Sequence, residues 1–273
     1  MNRLKESDES LRSYISKGAD QGKRIQLDKH KKPYIRKIEQ ISRYSVWLVD
    51  GDYIRKNISE DFVNYDQHYH LSFIPENEYW IDEENIHNEQ RYYIDHLLVE
   101  NRLMRAGISY EKAYEKAAAV ERRERSKSII MRQLTRTTKH RKELLDRVHK
   151  RLLKKYSRRL KLWVVDGELV RDLFFLDFAG GGHGKVYHFI PEDEIWIDDD
   201  ISQRERRFII LHEMHERSLM AKGMDYPSAH RNATETEDYC RHHPEALDKA
   251  LKEEMNMPGP DIHCPITLSG RCT

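Results

Sequence analysis

The sequence predicts an α+β protein of two tandem homologous domains, each a small β-sheet followed by two packed helices, with helical lead-in segments. Three observations carry that expectation. WLVDGDYIR from Trp47 returns as WVVDGELVR from Trp163, 116 positions later. FIPENEYWID from Phe73 returns as FIPEDEIWID from Phe189, and LM-x-x-G-x-x-Y from Leu103 returns from Leu219, both at the same offset of 116. The offset holds without a gap from Trp47/Trp163 to Glu121/Glu237, with roughly a third of the aligned positions identical. Agreement of that length at one spacing marks an internal repeat. It divides the chain into 1–124, with a core at 47–121, and 125–273, with a core at 163–237 and a tail at 244–273.

Within one unit, Asp166-Gly167 falls between two β-prone runs, as Asp50-Gly51 does in the first, which predicts a hairpin. Residues 186–190 and 194–198 then read as two strands broken by Pro191. Ser202, with Glu205 three positions on, is a capping-box start, and the helix runs to about Lys222 before stopping at Gly223. A second helix spans Tyr226 to Arg241, ahead of Pro244. Segment 122–161 is rich in Lys and Arg. An apolar stripe at Leu144, Leu145, Val148, Leu152 and Leu153 reads it as a solvated helix, and its charge also offers a contact for nucleic acid. The tail after Pro244, marked by Pro258-Gly259-Pro260, reads as loosely packed. Its surroundings hold Cys240, His242, His243, His263, Cys264 and Cys272 but no C-x-x-C spacing, so a structural zinc there is not the favoured expectation.

Composition sets the outer bounds. Hydrophobic residues are 38% and charged residues 35% of the chain, with 48 Lys+Arg against 47 Asp+Glu, so an evenly charged surface is expected. No apolar run approaches the roughly 20 residues of a membrane helix, and the first residues lack the apolar stretch of a secretory signal. The expectation is a cytoplasmic protein with no membrane partner. Three cysteines confined to the last 34 residues make no disulfide framework.

Chemistry concentrates in the second unit, at Leu211-His212-Glu213-Met214-His215-Glu216. His212 and Glu216 stand one helical turn apart on one face, the spacing two ligands need to reach one ion. Glu213 is placed to act as general base on a metal-bound water. On the next helix His230 and Glu237 share a face at i and i+7, each available as a further ligand. His183 lies in the run Ala179-Gly180-Gly181-Gly182-His183-Gly184, whose glycines admit close backbone approach. It is expected to polarise substrate or stabilise an oxyanion. The first unit keeps His96, Glu100 and Glu121 at the places of His212, Glu216 and Glu237. It replaces Glu213, His215, His230 and His183 by Leu97, Val99, Tyr114 and Gln67, and the glycines by Asn64-Tyr65-Asp66. The first unit is therefore expected to be inactive. Survival of the His–Glu pair there also fits a second reading, a buried hydrogen-bonded pair with no metal.

A strand ending in IWID, a capped turn and an apolar run into IILHEMHE resembles the small zincin-like metallopeptidases of the minimal gluzincin type. The resemblance covers about 194–237. It implies a strand preceding the motif helix, His212 as first zinc ligand, Glu213 as base, and His230 or Glu237 as the downstream ligand. Glu216 stands where the family has its second His, making the motif H-E-x-x-E. The loop-strand-helix set also looks like uncharacterised domains of phage-encoded proteins. The function expected is a metal-dependent hydrolase acting on an unidentified substrate, most simply a peptide, with zinc, or alternatively manganese or iron, held by His212, Glu216, His230 and Glu237. The competing expectation is a non-enzymatic structural or nucleic-acid-associated protein of a virus or mobile element. Oligomeric state is not encoded in any of these features.

Overall fold

The computed structural model describes residues 27–85, 89–137 and 141–256. They form a mixed α/β molecule with two four-stranded sheets and, among the described residues, nine α-helices. The first half runs β1 (Tyr34–Ile41), β2 (Tyr44–Val49), α1 (Gly51–Asn57), β3 (Tyr65–Gln67), β4 (Glu78–Asp82), α2 (Gln90–Arg105) and α3 (Tyr110–Arg125). Two connecting helices follow, α4 (Ile129–Thr137) and α5 (Arg141–Val148). The second half runs β5 (His149–Leu152), β6 (Lys161–Val165), α6 (Gly167–Leu173), β7 (Gly181–His183), β8 (Glu194–Asp198), α7 (Gln203–Ala221), α8 (Tyr226–His242) and α9 (Pro244–Asn256).

The sheets have the same order, β1-β2-β4-β3 and β5-β6-β8-β7, with a parallel central pair and antiparallel outer strands. Trp47 pairs with Trp80 in the first and Trp163 with Trp196 in the second. Because successive side chains of a strand point to opposite faces, β8 sends Ile195 and Ile197 toward α7 and Trp196 toward α6. Each sheet is thus buried on both sides. Ile195 and Ile197 pack with Phe208, Leu211 and Met214 of α7, and Trp196 with Val170 and Phe178 around α6.

Asp-Gly does not make a hairpin. Asp50 and Asp166 are helix N-caps, their carboxylates accepting from Tyr53 N and Leu169 N at 2.8 and 2.9 Å. The glycine is needed for another reason, since a Cβ on Gly167 would lie 2.1 Å from Asp198 Oδ1 and one on Gly51 1.8 Å from Asp82 Oδ2. Strand ends and helix starts are packed carboxylate against bare backbone. Residues 186–190 are likewise not a strand: Val186 N and Tyr187 N both donate to His183 O at 3.0 Å, closing a turn that drops Tyr187 and Phe189 among Phe174 and Phe175. Ser202 does cap α7, accepting from Glu205 N at 3.2 Å, and Gly223 stops it with φ +96°. The Glu205 side chain, however, does not return to the Ser202 backbone. The basic segment is two short helices and a strand rather than one helix. Nor is the whole tail loose: Pro244 opens α9, whose Leu247 and Leu251 are buried, while residues 257–273, with His263, Cys264 and Cys272, lie outside the described residues.

The halves meet through reciprocal buried ion pairs. Arg55 of α1 donates to Glu205 at the start of α7 at 2.9 Å, and Arg171 of α6 donates to Glu89 at the start of α2 at 2.8 Å. Arg171 follows Arg55, and Glu205 follows Glu89, by the same 116 positions that relate the sequence segments. Each carboxylate also holds an arginine from the second helix of its own half, Glu205 with Arg241 of α8 and Glu89 with Arg125, the last residue of α3, which runs one residue past the boundary expected at 124. Burial alone would raise both carboxyls, but the paired guanidiniums hold them below the usual carboxylate range.

Candidate metal centre

Helices α7 and α8, strand β7 and the glycine run bring the predicted residues together. His212 and Glu216 lie on the face of α7 that meets α8, and α8 presents His230 and Glu237 to them. Glu237 Oε2 sits 2.8 Å from His212 Nδ1, and its Oε1 accepts from Arg241 Nε at 2.9 Å. With Nδ1 engaged by a carboxylate, His212 turns Nε2 toward Glu216 Oε2 at 3.5 Å and His230 Nδ1 at 3.2 Å. Glu216 Oε2 is 2.7 Å from His230 Nδ1, and its Oε1 is 2.9 Å from His183 Nε2. Glu216 therefore faces three imidazoles. They hold its carboxyl far below the usual range although burial acts to raise it.

Glu237 orients His212 rather than His230. His183 is fully buried at the end of β7; its Nδ1 accepts from Lys185 N at 3.2 Å, so the neutral ring carries its proton on Nε2, facing Glu216. That Nε2 contact is bent too far for a hydrogen bond, leaving a buried polar atom without a hydrogen-bond partner among the described residues. His183 and Glu216 are joined by Glu213 in a second group of close potential ligand atoms. Burial and the neighbouring Glu216 push the Glu213 carboxyl up to about 8. The cluster opens to solvent at His230, whose side chain is 37% exposed against 4% for Glu216.

The glycines make room for the chemistry. A Cβ on Gly181 would lie 2.9 Å from Ile209 and 3.0 Å from the Glu213 side chain. At that place the first half carries Tyr65, whose ring stacks on Tyr93 and stands 5.6 Å from His96. There His96 Nδ1 meets Glu121 at 2.7 Å and Nε2 lies 3.5 Å from Glu100, repeating the pair and the spacing. Gln67 and Asn101 take up the rest of that network, Gln67 bonding Glu100 and Asn101 bonding Gln67 at 2.6 Å. Tyr114, in the place of His230, bonds Asp177 of the other half.

Several participants escaped sequence reading. His215 pairs with Glu254 of α9 at 2.6 Å. Glu60, exposed on the loop after α1, is pushed up to about 7 by partial desolvation and by Asp61, Asp238 and Glu237, the last two from the other half. In the basic segment Arg125 is buried among carboxylates, while Lys150 and Lys161 hold Asp199 and Asp193 at 2.5 and 2.7 Å. No helix among the described residues is long and apolar enough to cross a membrane. No protein-family model matches the chain, and neither a curated protein nor a solved structure does.

Proposed function

We propose that the chain is a fused pair of homologous units, 1–124 and 125–273, whose second unit is a metal-dependent hydrolase of the zincin-like kind and whose first is its inactive partner. The observation that carries this reading is the donor set of His212 Nε2, His230 Nδ1 and Glu216 Oε2, with Glu237 behind His212. Their separations of 2.7, 3.2 and 3.5 Å bracket the roughly 3.0–3.4 Å edges of a site with metal–ligand bonds of about 2.1 Å. A carboxylate on the far nitrogen of a ligating histidine is the usual device for fixing its tautomer and orientation. The same pair in the first half, His96 with Glu121, serves packing alone, so the additions His230, His183 and Glu213 distinguish the centre.

In the proposed reaction the chain's residues divide the work. A bound zinc, manganese or iron would supply Lewis-acid polarisation and a more acidic water. Glu213 would accept a proton from the water that adds to the peptide carbonyl and pass it to the amine nitrogen as the C–N bond breaks, leaving a carboxylic acid and an amine. A carboxyl held near neutrality by burial suits both transfers. His183 stands behind Glu216, its Nε2 at 2.9 Å from Oε1, and Gly181 leaves the approach that Tyr65 fills in the first half. The test is elemental analysis after dialysis against each metal. About one equivalent is expected in the parent protein and in His96→Ala, and none in His212→Ala/His230→Ala. A parent that takes up no zinc, manganese or iron would sink the reading and leave the His–Glu pairs as structure.

A further inference from the structure

Helix α9 closes one face of the second half, and no described residue closes the corresponding face of the first half. Leu247 and Leu251 of α9 are buried in a cluster with Leu211 and Met214 of α7. Polar links fix its direction: Arg207 to Asp248 at 2.6 Å, His215 to Glu254 at 2.6 Å, and Arg158 to Asn256 at 2.8 Å. In the first half Arg91, Ile94, Leu98 and Val99 stand 116 positions before Arg207, Ile210, Met214 and His215. Ser42-Arg43 occupies the turn between β1 and β2, as Ser157-Arg158 occupies the one between β5 and β6. Along this surface run two adjoining grooves of about 580 and 430 Å³ that share Leu98. Ile38, Ile41 and Ile94 line one together with the carboxylates of Glu39 and Asp95, Asp95 standing where α7 has Leu211, and Tyr44, Val99 and Arg105 line the other.

The chain uses the matching segment elsewhere. Residues 116 positions before α9 form α4, which buries Leu134 in the second half with Val148, Val165 and Leu169. Four arginines stand at the rim of the groove against two carboxylates, Glu39 and Asp95, so its charge is basic only in the balance. Arg43, Arg91, Arg102 and Arg105 are exposed, and none of them is ion-paired among the described residues; Arg43, Arg91 and Arg105 reach only tyrosine hydroxyls. Packing this face on a second copy of itself would leave the excess of guanidinium over carboxylate unmatched. An acidic occupant meets the charge, and α9 shows the shape of element that seats on such a face.

We propose that the groove between β1 and α2 receives an amphipathic α-helix of a partner protein, with an apolar i, i+4 stripe on Ile94 and Leu98 and acidic residues on Arg91, Arg43 and Arg105. This is helix-in-groove recognition, with apolar anchors giving the seat and rim charges the register. It does not depend on the metal centre.

The probe is a fluorescent peptide of residues 244–256 carrying Glu254→Leu to face Val99. A lactam between its Lys249 and Glu253, an exposed i, i+4 pair 3.8 Å apart in α9, counters the fraying of so short a helix. Anisotropy with the full chain should show saturable binding, weakened roughly tenfold or more by Arg91→Glu and by Leu98→Asp. Both variants should keep the parent's circular dichroism. A second probe with Asp248→Lys should bind Arg91→Glu better than the parent does, a swap that damage to the fold would not produce. Three results overturn the proposal: no saturable binding by the parent, equal binding by the variants, or a photo-crosslinker at position 98 joining residues 1–26 of the same chain or a second copy.

Discussion

His96 and His212 stand 116 positions apart in matching settings. Both are buried on a helix, and both place a glutamate of the next helix on Nδ1 at 2.7 and 2.8 Å. Burial alone would lower both imidazoles; hydrogen bonds to Glu100 and Glu121 lift His96 to about 9, and those to Glu216 and Glu237 lift His212 as well. What separates them is one position further on, where Leu97 is an apolar contact and Glu213 a carboxyl pushed up to about 8. In the metal-free protein the folded Glu213 holds its proton above the ordinary carboxyl range. The folded state is therefore favoured below about 4.5 and loses that advantage as pH rises through about 8. Glu213→Gln removes the slope. Melting curves of metal-free protein from pH 5 to 9 should show the parent falling relative to the variant. Hydrolysis by the metal-loaded variant should drop by about 10²–10⁴-fold with metal content unchanged. Equal pH slopes in both proteins would show that Glu213 is not the group held protonated.

At the scale of elements, the glycines after Asp50 and Asp166 are places where a helix start is pressed against a buried carboxylate. Gly167→Ala would force Asp198 away from Arg171 and should cost about 1–3 kcal/mol in urea unfolding, whereas overlap of this kind is absent at Gly107. An unchanged midpoint would mean that Asp198 moves without loss. These contacts also explain which parts of the fold were legible. The start of α7 at Ser202, its stop at Gly223 and the course of α8 follow from local capping chemistry, so the residues announced them. Asp-Gly misled because the same dipeptide serves a hairpin turn and a helix cap, and only the distant Asp82 and Asp198 decide between them. Residues 186–190 look like a strand by composition, yet their aromatics are buried by a turn folding back on β7. In α9 the i, i+4 spacing of Leu247 and Leu251 was present but hidden behind the Pro and Cys/His bias of the tail. Of the candidate centre, the ligand face of α7 was legible from spacing. The partner of each imidazole was not, since the rotation of α8 against α7 assigns Glu237 to His212.

Over the whole molecule, the two halves are joined by carboxylates that each hold two guanidiniums, one from each half. Breaking such a site strands charge in a dry interface. Arg171→Met leaves Glu89 with Arg125 and leaves Asp198 without its arginine, and should cost about 3–5 kcal/mol. Because Arg171 belongs to one half and Glu89 to the other, tryptophan fluorescence and circular dichroism should move together in a single transition. Two separated transitions in the parent protein would show that the halves fold independently and that these ion pairs couple nothing.

The reciprocity of Arg55–Glu205 and Arg171–Glu89 bears on how the two halves came to differ. In a dimer of identical chains, every substitution appears twice, so a carboxyl placed beside one histidine is placed beside both, with its stability cost doubled. Once two such units are joined in one polypeptide and the mutual clasp is kept, each side is inherited separately. One side is then free to take on Glu213, Gly181 and His230 at a cost to its own folding, while the other settles into Leu97, Tyr65 and Tyr114 and supplies the rigidity. On the proposed duplication and the proposed function, the half with Leu97, Tyr65 and Tyr114 is the ballast that lets its neighbour carry a buried, protonated carboxyl.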